Sequence, residues 1–373
     1  MKRVLELDGL RGAAIGMVIL YHYFQIPLQA SPASLLDYLQ RSVALSWTGV
    51  DLFFVLSGFL IGGILLDSRN SSNYFRVFYT RRFFRIIPLY VVALVVFPAI
   101  VSIARWTNHG NFFYLAAGNS LPWWSYWTFT QNFWMAGTER LGVMTLAVTW
   151  SLAIEEQFYM TLPFLVRFLT GPQLSKCVRY GIYAAPLLRI GLGFKFHHNW
   201  IAEWGLMPCR MDALLLGVMA AMLLRDVQWK EKLLRNRDRL LALILFLFVG
   251  MIVFTVFAPT VDNTIMQSLG YSWTALFYTS VLLYAVTQPS SVLSRALRFS
   301  WLGKLGGLAY GIYLLHEVVL GMVFGVMGME PSINNLSTLL ATLLALLLTI
   351  LLAHFSWRYF ESPVINWRRG SYV

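Results

Sequence analysis

Arg11 and His22 lie eleven positions apart in the first apolar stretch of the chain. At 3.6 residues per turn this spacing is close to three full turns, so an α-helix would carry both side chains on one face. The imidazole would lie roughly 17 Å along the helix from the guanidinium. A neutral imidazole in such a place can act as a general base, which predicts proton abstraction at His22. A histidine with a purely structural role is the alternative.

Several other apolar stretches also carry ionisable side chains. A charge at membrane depth is costly and usually marks a cavity or a pathway. Judged by helical rise, four of these groups lie at a depth similar to that of His22, which predicts one shared polar cavity. The structural alternatives are a buried ion pair between Arg210 and Asp212, and packing, pairing or capping roles for the other groups. The four groups at that depth are Asp51, Glu155, Asp212 and His316.

An arginine-rich stretch, residues 75–85, reads FRVFYTRRFFR and interleaves aromatic residues with arginines. A guanidinium presents a fork of N–H donors that matches phosphate oxygens. A polyphosphate at this edge, with a base in the core, would suit a long cofactor that stands upright in a helical bundle. Anchoring at the membrane surface is the alternative. The four arginines are Arg76, Arg81, Arg82 and Arg85.

The composition indicates which elements must position these groups. Of the 373 residues, 58% are hydrophobic and 12% are charged, and a soluble globule of this size could not bury so many apolar side chains. These values exclude a soluble enzyme, a disordered chain and a coiled coil. A span needs roughly 20 mostly apolar residues, and the sequence predicts about ten transmembrane helices. They lie near residues 10–27, 44–66, 87–104, 146–167, 180–194, 206–224, 240–258, 270–288, 305–328 and 337–357.

The distribution of positive charge predicts how these spans are oriented. With the N-terminus in the cytoplasm, 23 of the 29 lysine and arginine residues fall in the termini and the cytoplasmic loops, and six fall elsewhere. This bias predicts an all-α, polytopic membrane bundle with both termini in the cytoplasm. In such a protein the net charge of +12 reflects orientation in the membrane, and no nucleic acid partner is expected.

The stretch 105–145 fits this pattern least well, because it is long, would lie outside the cell and is rich in tryptophan. One interpretation is a re-entrant segment. Its tryptophans would form either an interfacial belt or a stacking surface for a sugar. Elsewhere, Cys177 and Cys209 form neither a metal-ligand pattern nor a disulfide framework, and no metal is expected.

Seven blocks of the sequence form a recognisable series. They are Leu7–Gly12 with ten residues between Arg11 and His22, Gly49–Phe59, Arg82–Pro88, Trp150–Tyr159, Arg210–Gly217, Tyr313–His316 and Phe360–Pro363. In this order, and on the expected spans, they resemble the acyltransferase-3 family of integral membrane acyltransferases. That family includes O-acetyltransferases of O-antigen and other cell-surface polysaccharides. Any one block is weak, but seven in order are specific, and the resemblance covers nearly the whole chain.

The resemblance implies transfer of an acyl group, most often acetyl from acetyl-CoA, to a hydroxyl of a cell-surface glycan or a lipid-linked saccharide. His22 would be the catalytic base, with catalytic support from Glu155 and Asp51. Arginines would bind the CoA phosphates, and other polar residues would contact the substrate. The expected cofactor-binding residues are Arg11, Arg81, Arg82 and Arg85, and the expected substrate-binding residues are Arg210, Asp212, His316 and Tyr159.

The resemblance also implies a multi-pass protein of the bacterial cytoplasmic membrane. Some members carry an additional SGNH-type hydrolase domain outside the cytoplasm. Residues 1–373 are expected to form a single transmembrane domain without one. The expected partners are the acyl-CoA, the glycan or lipid-linked sugar and the lipid bilayer, and the sequence leaves a homo-oligomer open.

Three alternatives remain open at the level of sequence. A member of the same family could use another acyl donor, such as succinyl-CoA, or a small-molecule or lipid acceptor. A transporter would also bury charges in a helical bundle, although neither an inverted repeat nor a broken-helix pair of glycines or prolines is visible. A covalent acyl-histidine intermediate is compatible with the same residues as direct transfer.

Overall fold

The computed structural model describes residues 4–106, 121–195 and 199–367, and within these ranges every regular element is a helix. Residues Lys2, Arg3 and Arg369, and positions 107–120 of the tryptophan-rich stretch, lie outside the described residues. The helices are α1 (Leu5–Leu20), α2 (Leu35–Ser42), α3 (Gly49–Asp67), α4 (Tyr74–Trp106), α5 (Trp123–Trp127), α6 (Gln131–Thr138), α7 (Met144–Ala147), α8 (Thr149–Phe168), α9 (Gly171–Lys195), α10 (Trp200–Gly205), α11 (Met207–Leu223), α12 (Val227–Arg235), α13 (Arg237–Phe257), α14 (Tyr271–Thr287), α15 (Val292–Leu297), α16 (Ser300–Val326), α17 (Leu336–Ser356) and α18 (Ser362–Trp367).

Seven helical segments of the described chain are long and apolar enough to cross a membrane. The prediction of an all-helical, polytopic membrane protein is therefore confirmed. The other three predicted spans fall on α1, α8 and α9, which are helical and carry Arg11, Glu155 and Arg189. The count of ten stays a prediction. The seven segments are Leu35–Asp67, Tyr74–Ile103, Trp200–Leu223, Arg237–Phe257, Met266–Thr287, Ser300–Val326 and Leu336–Trp367.

The helices divide into an inner set and an outer set. Only 22% of the apolar part of α13 is buried, whereas the corresponding share of α16 is 67%. Phe246, Val249 and Ile252 of α13 are exposed, and an apolar surface of this kind is what a lipid-facing helix presents. The inner helices α1, α3, α8, α11 and α16 each carry at least one ionisable residue and, together with α4, surround the candidate site.

Glycine allows the inner helices α3 and α11 to pack closely. Gly58 of α3 lies against the carbonyl oxygen of Leu214, and Gly217 of α11 lies against that of Val55, so the two backbones meet with no side chain between them. Small residues at helix contacts are the usual way in which membrane helices approach this closely. The two glycines therefore fix the distance between helices that contribute to the site.

Gly58→Ala is expected to destabilise the protein, because the added methyl group would overlap the carbonyl oxygen of Leu214. Overpacking of this kind typically costs about 1–3 kcal/mol. The thermal unfolding midpoint of the purified protein in detergent should therefore fall. The matched control is Gly307→Ala in α16, where a methyl group meets no atom within 4 Å. Equal midpoints for the two variants would contradict the close packing of α3 against α11.

The described part of the tryptophan-rich stretch folds against the bundle as two short helices, α5 and α6, neither of which is long enough to span a membrane. Gln131 Nε2 donates to the carbonyl oxygen of Thr149 at 3.0 Å, and Gln157 Nε2 donates to that of Phe129 at 2.7 Å. These bonds join the short helices to α8. Both interpretations of the tryptophans, belt and sugar surface, stay predictions. The partly exposed tryptophans are Trp123, Trp124, Trp127 and Trp134.

Candidate active site

Two adjoining cavities lie among the inner helices, and Val50 and Tyr313 line both of them. The first, called the arginine cavity, has a volume of about 260 Å³, and the second, called the histidine cavity, has a volume of about 340 Å³. Side chains that define the arginine cavity are Arg11, Ser57, Arg82, Arg85, Glu155 and Tyr159. Side chains that define the histidine cavity are His22, Asp51, Trp150, Trp204, Arg210 and Glu317.

Three helices, α3, α8 and α16, contribute to both cavities, and α1 does so together with the π-helical turn that extends it, Tyr21–Gln25. Helix α1 places Arg11 in the arginine cavity, and the turn places His22, eleven residues later, in the histidine cavity. Helix α3 places Asp51 in the histidine cavity and, six residues later, Ser57 in the arginine cavity. Position along a helix therefore decides which cavity a side chain lines.

This division separates groups that the sequence assigns to one layer. Asp51 shares the histidine cavity with His22, as the shared depth predicts. Glu155 lies instead in the arginine cavity, together with the guanidinium groups. The sequence predicts a single polar cavity, whereas the structure has two. The predicted base, His22, lines one of them, and the predicted supporting acid, Glu155, lines the other.

His22 lies in a π-helical turn, Tyr21–Gln25, that extends α1. Its Nδ1 is 3.0 Å from the carbonyl oxygen of Val18. A carbonyl oxygen can only accept, so Nδ1 carries the proton and Nε2 carries the lone pair of a base. Nε2 lies 3.5 Å from Oε1 of Glu317, and the exposed fractions of the two side chains are 21% and 5%. A carboxylate at this position would stabilise the imidazolium that forms when His22 takes a proton.

His316 lies beside His22, with 4.9 Å between the ring centroids. Its Nδ1 lies 2.8 Å from the carbonyl oxygen of Tyr313 and 3.2 Å from that of Ile312. The side chain is fully buried and does not belong to the lining of either cavity. Substrate binding by His316 therefore stays a prediction, and the structure places this residue behind the predicted base.

Three guanidinium groups line the arginine cavity, those of Arg11, Arg82 and Arg85. Helix α1 supplies the first, and helix α4 supplies the other two from neighbouring turns. Arg81, the fourth predicted cofactor-binding residue, is exposed and is not part of this lining. Several arginines around one cavity create a positive field that suits a phosphate group.

Glu155 and Tyr159 lie among these arginines. The Tyr159 hydroxyl donates to Oε2 of Glu155 at 3.2 Å and also contacts the Ser57 hydroxyl. The Arg82 guanidinium lies 5.9 Å from the centre of the Tyr159 ring. This network holds α3, α4 and α8 together on the wall of the cavity. Predicted roles for Glu155 in catalysis and for Tyr159 in substrate binding stay predictions.

Two buried ion pairs join the helices near the histidine cavity. Arg210 pairs with Asp51, and Arg189 pairs with Asp212 at 3.0 Å. The alternative of an Arg210–Asp212 pair is therefore replaced by two pairs with different partners. Arg210 and Asp51 also line the histidine cavity. Asp212 is buried and lies outside that lining, so its predicted contact with substrate stays a prediction.

Glu317 is the residue that sequence reasoning did not place in the site. It appears in the sequence only as an acid next to His316, and side chains of adjacent helical residues point in different directions. Its pairing with His22 depends on how α1 and α16 pack against each other. An ionisable residue inside an apolar stretch was the available signal.

Comparison with known proteins identifies a family for this chain. The sequence profile of an acyltransferase domain, acyltransferase-3, matches residues 4–354. The chain belongs to this family. The recognition made from the seven sequence blocks is thereby confirmed, and family membership places the chain among the acyltransferases that transfer groups other than aminoacyl groups.

Curated relatives have names that agree with this assignment. A peptidoglycan O-acetyltransferase, OatA, of Listeria monocytogenes is 28% identical over 97% of this chain and 56% of its own length. An O-acetyltransferase OatA of Staphylococcus aureus is 26% identical over 96% of this chain and 56% of its own length. The chain therefore spans little more than half the length of these relatives. No solved structure matches it.

Proposed function

We propose that this protein is a membrane-embedded O-acyltransferase that moves an acetyl group from acetyl-CoA to a hydroxyl of a cell-surface glycan or lipid-linked saccharide. The observation that carries the proposal is the His22–Glu317 dyad in a cavity that adjoins a second cavity lined by three arginines. A base, a carboxylate and a phosphate-binding surface are the parts that such a reaction requires. The family and the names of its relatives support the same chemistry.

The arginine cavity is the proposed site for the phosphates of the donor. Arg11, Arg82 and Arg85 would hold them, and the pantetheine arm would pass Val50 and Tyr313 into the histidine cavity. The helical rise between Arg11 and His22, roughly 17 Å, is the distance that this arm would bridge. Acetyl-CoA is the proposed donor.

The histidine cavity is the proposed site for the acceptor. Tryptophan side chains form part of its wall, and the ring centroids of Trp150 and Trp204 lie 3.7 Å apart. Flat aromatic faces suit the apolar face of a sugar ring. The name of the Listeria relative refers to peptidoglycan, which supports a cell-wall glycan as the acceptor class.

The proposed reaction is a direct transfer. His22 Nε2 takes the proton of the acceptor hydroxyl, and Glu317 stabilises the resulting imidazolium. The acceptor oxygen attacks the thioester carbonyl carbon, a new C–O bond forms, the C–S bond breaks, and the CoA thiolate takes the proton back from His22. Arg210 supports the proposal, because its Nε and Nη1 have no hydrogen-bond partner among the described residues and its side chain lines the cavity. These donors would bind a substrate oxygen.

The proposed setting is the bacterial cytoplasmic membrane, with about ten spans and both termini in the cytoplasm. The distribution of lysine and arginine along the sequence supports this orientation. In it the arginine cavity would face the cytoplasm, where acetyl-CoA is made, and the histidine cavity would lie toward the outer side.

The test is transfer by the purified protein. The protein in detergent is mixed with acetyl-CoA labelled in the acetyl group and with soluble peptidoglycan oligosaccharides, and both released CoA thiol and labelled glycan are measured. Equal amounts of the two products are expected. If the folded protein released neither product but carried the label into proteoliposomes, the proposal would be overturned in favour of a transporter. Product from succinyl-CoA alone would overturn the choice of donor.

A further inference from the structure

Three proton acceptors converge where α1 meets α16. Ligand atoms of His22, His316 and Glu317 all lie within 4.8 Å of one another. Oε1 of Glu317 is 3.5 Å from Nε2 of His22 and 3.9 Å from Nε2 of His316. Within the described residues the Nε2 atom of His316 has no hydrogen-bond partner, although the side chain is fully buried.

The contacts of the two Nδ1 atoms determine whether each Nε2 atom carries a proton or a lone pair. Nδ1 of His22 lies 3.0 Å from the Val18 carbonyl oxygen, and Nδ1 of His316 lies 2.8 Å from that of Tyr313. Carbonyl oxygens only accept, so each Nδ1 carries the proton and each Nε2 presents a lone pair. Two lone pairs and one carboxylate oxygen therefore face a common point, which is an arrangement that suits a metal cation.

We propose that His22, His316 and Glu317 form a binding site for a divalent cation of the zinc class, and that occupation of this site blocks the base function of His22. Two imidazoles and one carboxylate are a ligand set that zinc accepts, with a further position left for water. The backbone carbonyls that hold both Nδ1 atoms match the outer-shell pattern of metal-binding histidines. Neither imidazole has to change its tautomer to bind the ion.

The two distances to the carboxylate require only a small contraction, and the ligand nitrogens of the two histidines lie within 4.8 Å of each other. Ligand atoms about 2.0–2.1 Å from a tetrahedral zinc ion lie roughly 3.3 Å from each other. The His22–Glu317 separation of 3.5 Å is close to this value, and the separation of 3.9 Å between His316 and Glu317 closes by a small side-chain rotation. The histidine cavity, which His22 and Glu317 line, gives the ion a path of entry and room for a bound water.

The sequence predicts no metal, so a metal site here differs from that expectation. The ion would not take part in acyl transfer. A metal ion on Nε2 would occupy the lone pair that accepts the proton of the acceptor hydroxyl. Bound zinc is therefore an inhibitor of the proposed reaction, and the binding itself does not depend on whether that reaction occurs.

The test measures metal binding by the purified full chain, without a histidine tag, in detergent. Zn²⁺ is titrated by calorimetry, and Co²⁺ is used as a spectroscopic substitute whose visible absorption reports tetrahedral coordination. Wild type should bind one equivalent of Zn²⁺. Glu317→Gln, which keeps the shape of the side chain, and His316→Ala should each weaken binding by about 10-fold or more. Mg²⁺ should not compete, because it prefers oxygen ligands.

The matched control is His354→Ala, which removes an exposed histidine of α17 far along the chain from the cluster. It should bind Zn²⁺ as tightly as wild type. Equal affinity in wild type, His316→Ala and Glu317→Gln would overturn the proposal, as would failure of folded wild type to bind Zn²⁺. Because calorimetry needs no turnover, a protein that binds Zn²⁺ but transfers no acetyl group would contradict the proposed function and leave this site supported.

Discussion

Replacing His22 with alanine is expected to lower the rate of acyl transfer by about 10²–10⁴-fold, the usual contribution of a positioned general base. The imidazole Nε2 lies 3.5 Å from Glu317 in the histidine cavity, and alanine removes the nitrogen that is proposed to take the proton of the acceptor. Acetyl-CoA binding should be unchanged, because the proposed phosphate contacts lie in the arginine cavity. Initial rates and equilibrium binding are measured on the same preparation.

Two further variants sharpen this experiment. Glu317→Gln retains the imidazole but removes the charge that stabilises its cation, so a smaller loss of rate is expected than for His22→Ala. His354→Ala changes an exposed histidine in α17 and should retain the wild-type rate. Transfer at the wild-type rate by His22→Ala would show that the base lies elsewhere, and a loss of CoA binding in that variant would show that the two cavities are not functionally separate.

The relation of Arg11 to His22 could be predicted from the sequence because it is a property of a single helix. Helical periodicity predicts both on one face of a helix, and in the structure Arg11 on α1 and His22 on the turn that extends it line the two adjoining cavities. The all-helical membrane fold was equally accessible, since it depends on composition and on the length of apolar stretches. Both predictions need no knowledge of how one helix packs on another.

The partners of the buried charges depend on that packing and could not be predicted. Glu317 pairs with His22 only because α16 lies against α1, and Asp51 pairs with Arg210 only because α3 lies against α11 through Gly58. Depth estimates from helical rise carry errors of about a turn at each helix end. Asp51 and Ser57, only six residues apart on α3, already line different cavities, so such an error is enough to place Glu155 in the layer of His22.

Replacing Arg82 and Arg85 together with alanine is expected to weaken acetyl-CoA binding by at least about 100-fold. Each substitution would remove a charge-assisted hydrogen bond to phosphate, and such bonds contribute about 1.5–3 kcal/mol each. Both side chains line the arginine cavity. Replacing both with lysine keeps the charge but removes the donor fork, so an intermediate loss is expected. Dissociation constants are measured by calorimetry in detergent.

Two single variants on the same helix show whether the cavity or the general positive charge is responsible. Arg76→Ala removes an exposed arginine of α4 and should leave binding unchanged. Arg81→Ala tests the remaining member of the predicted set, and because this side chain is exposed, its loss should matter less than that of either cavity arginine. If all of these variants weakened binding equally, the arginines would act as a diffuse charged surface. A selective loss of binding in the variant of Arg82 and Arg85, together with slowed transfer but intact binding in His22→Ala, would separate the residues that hold the donor from the base.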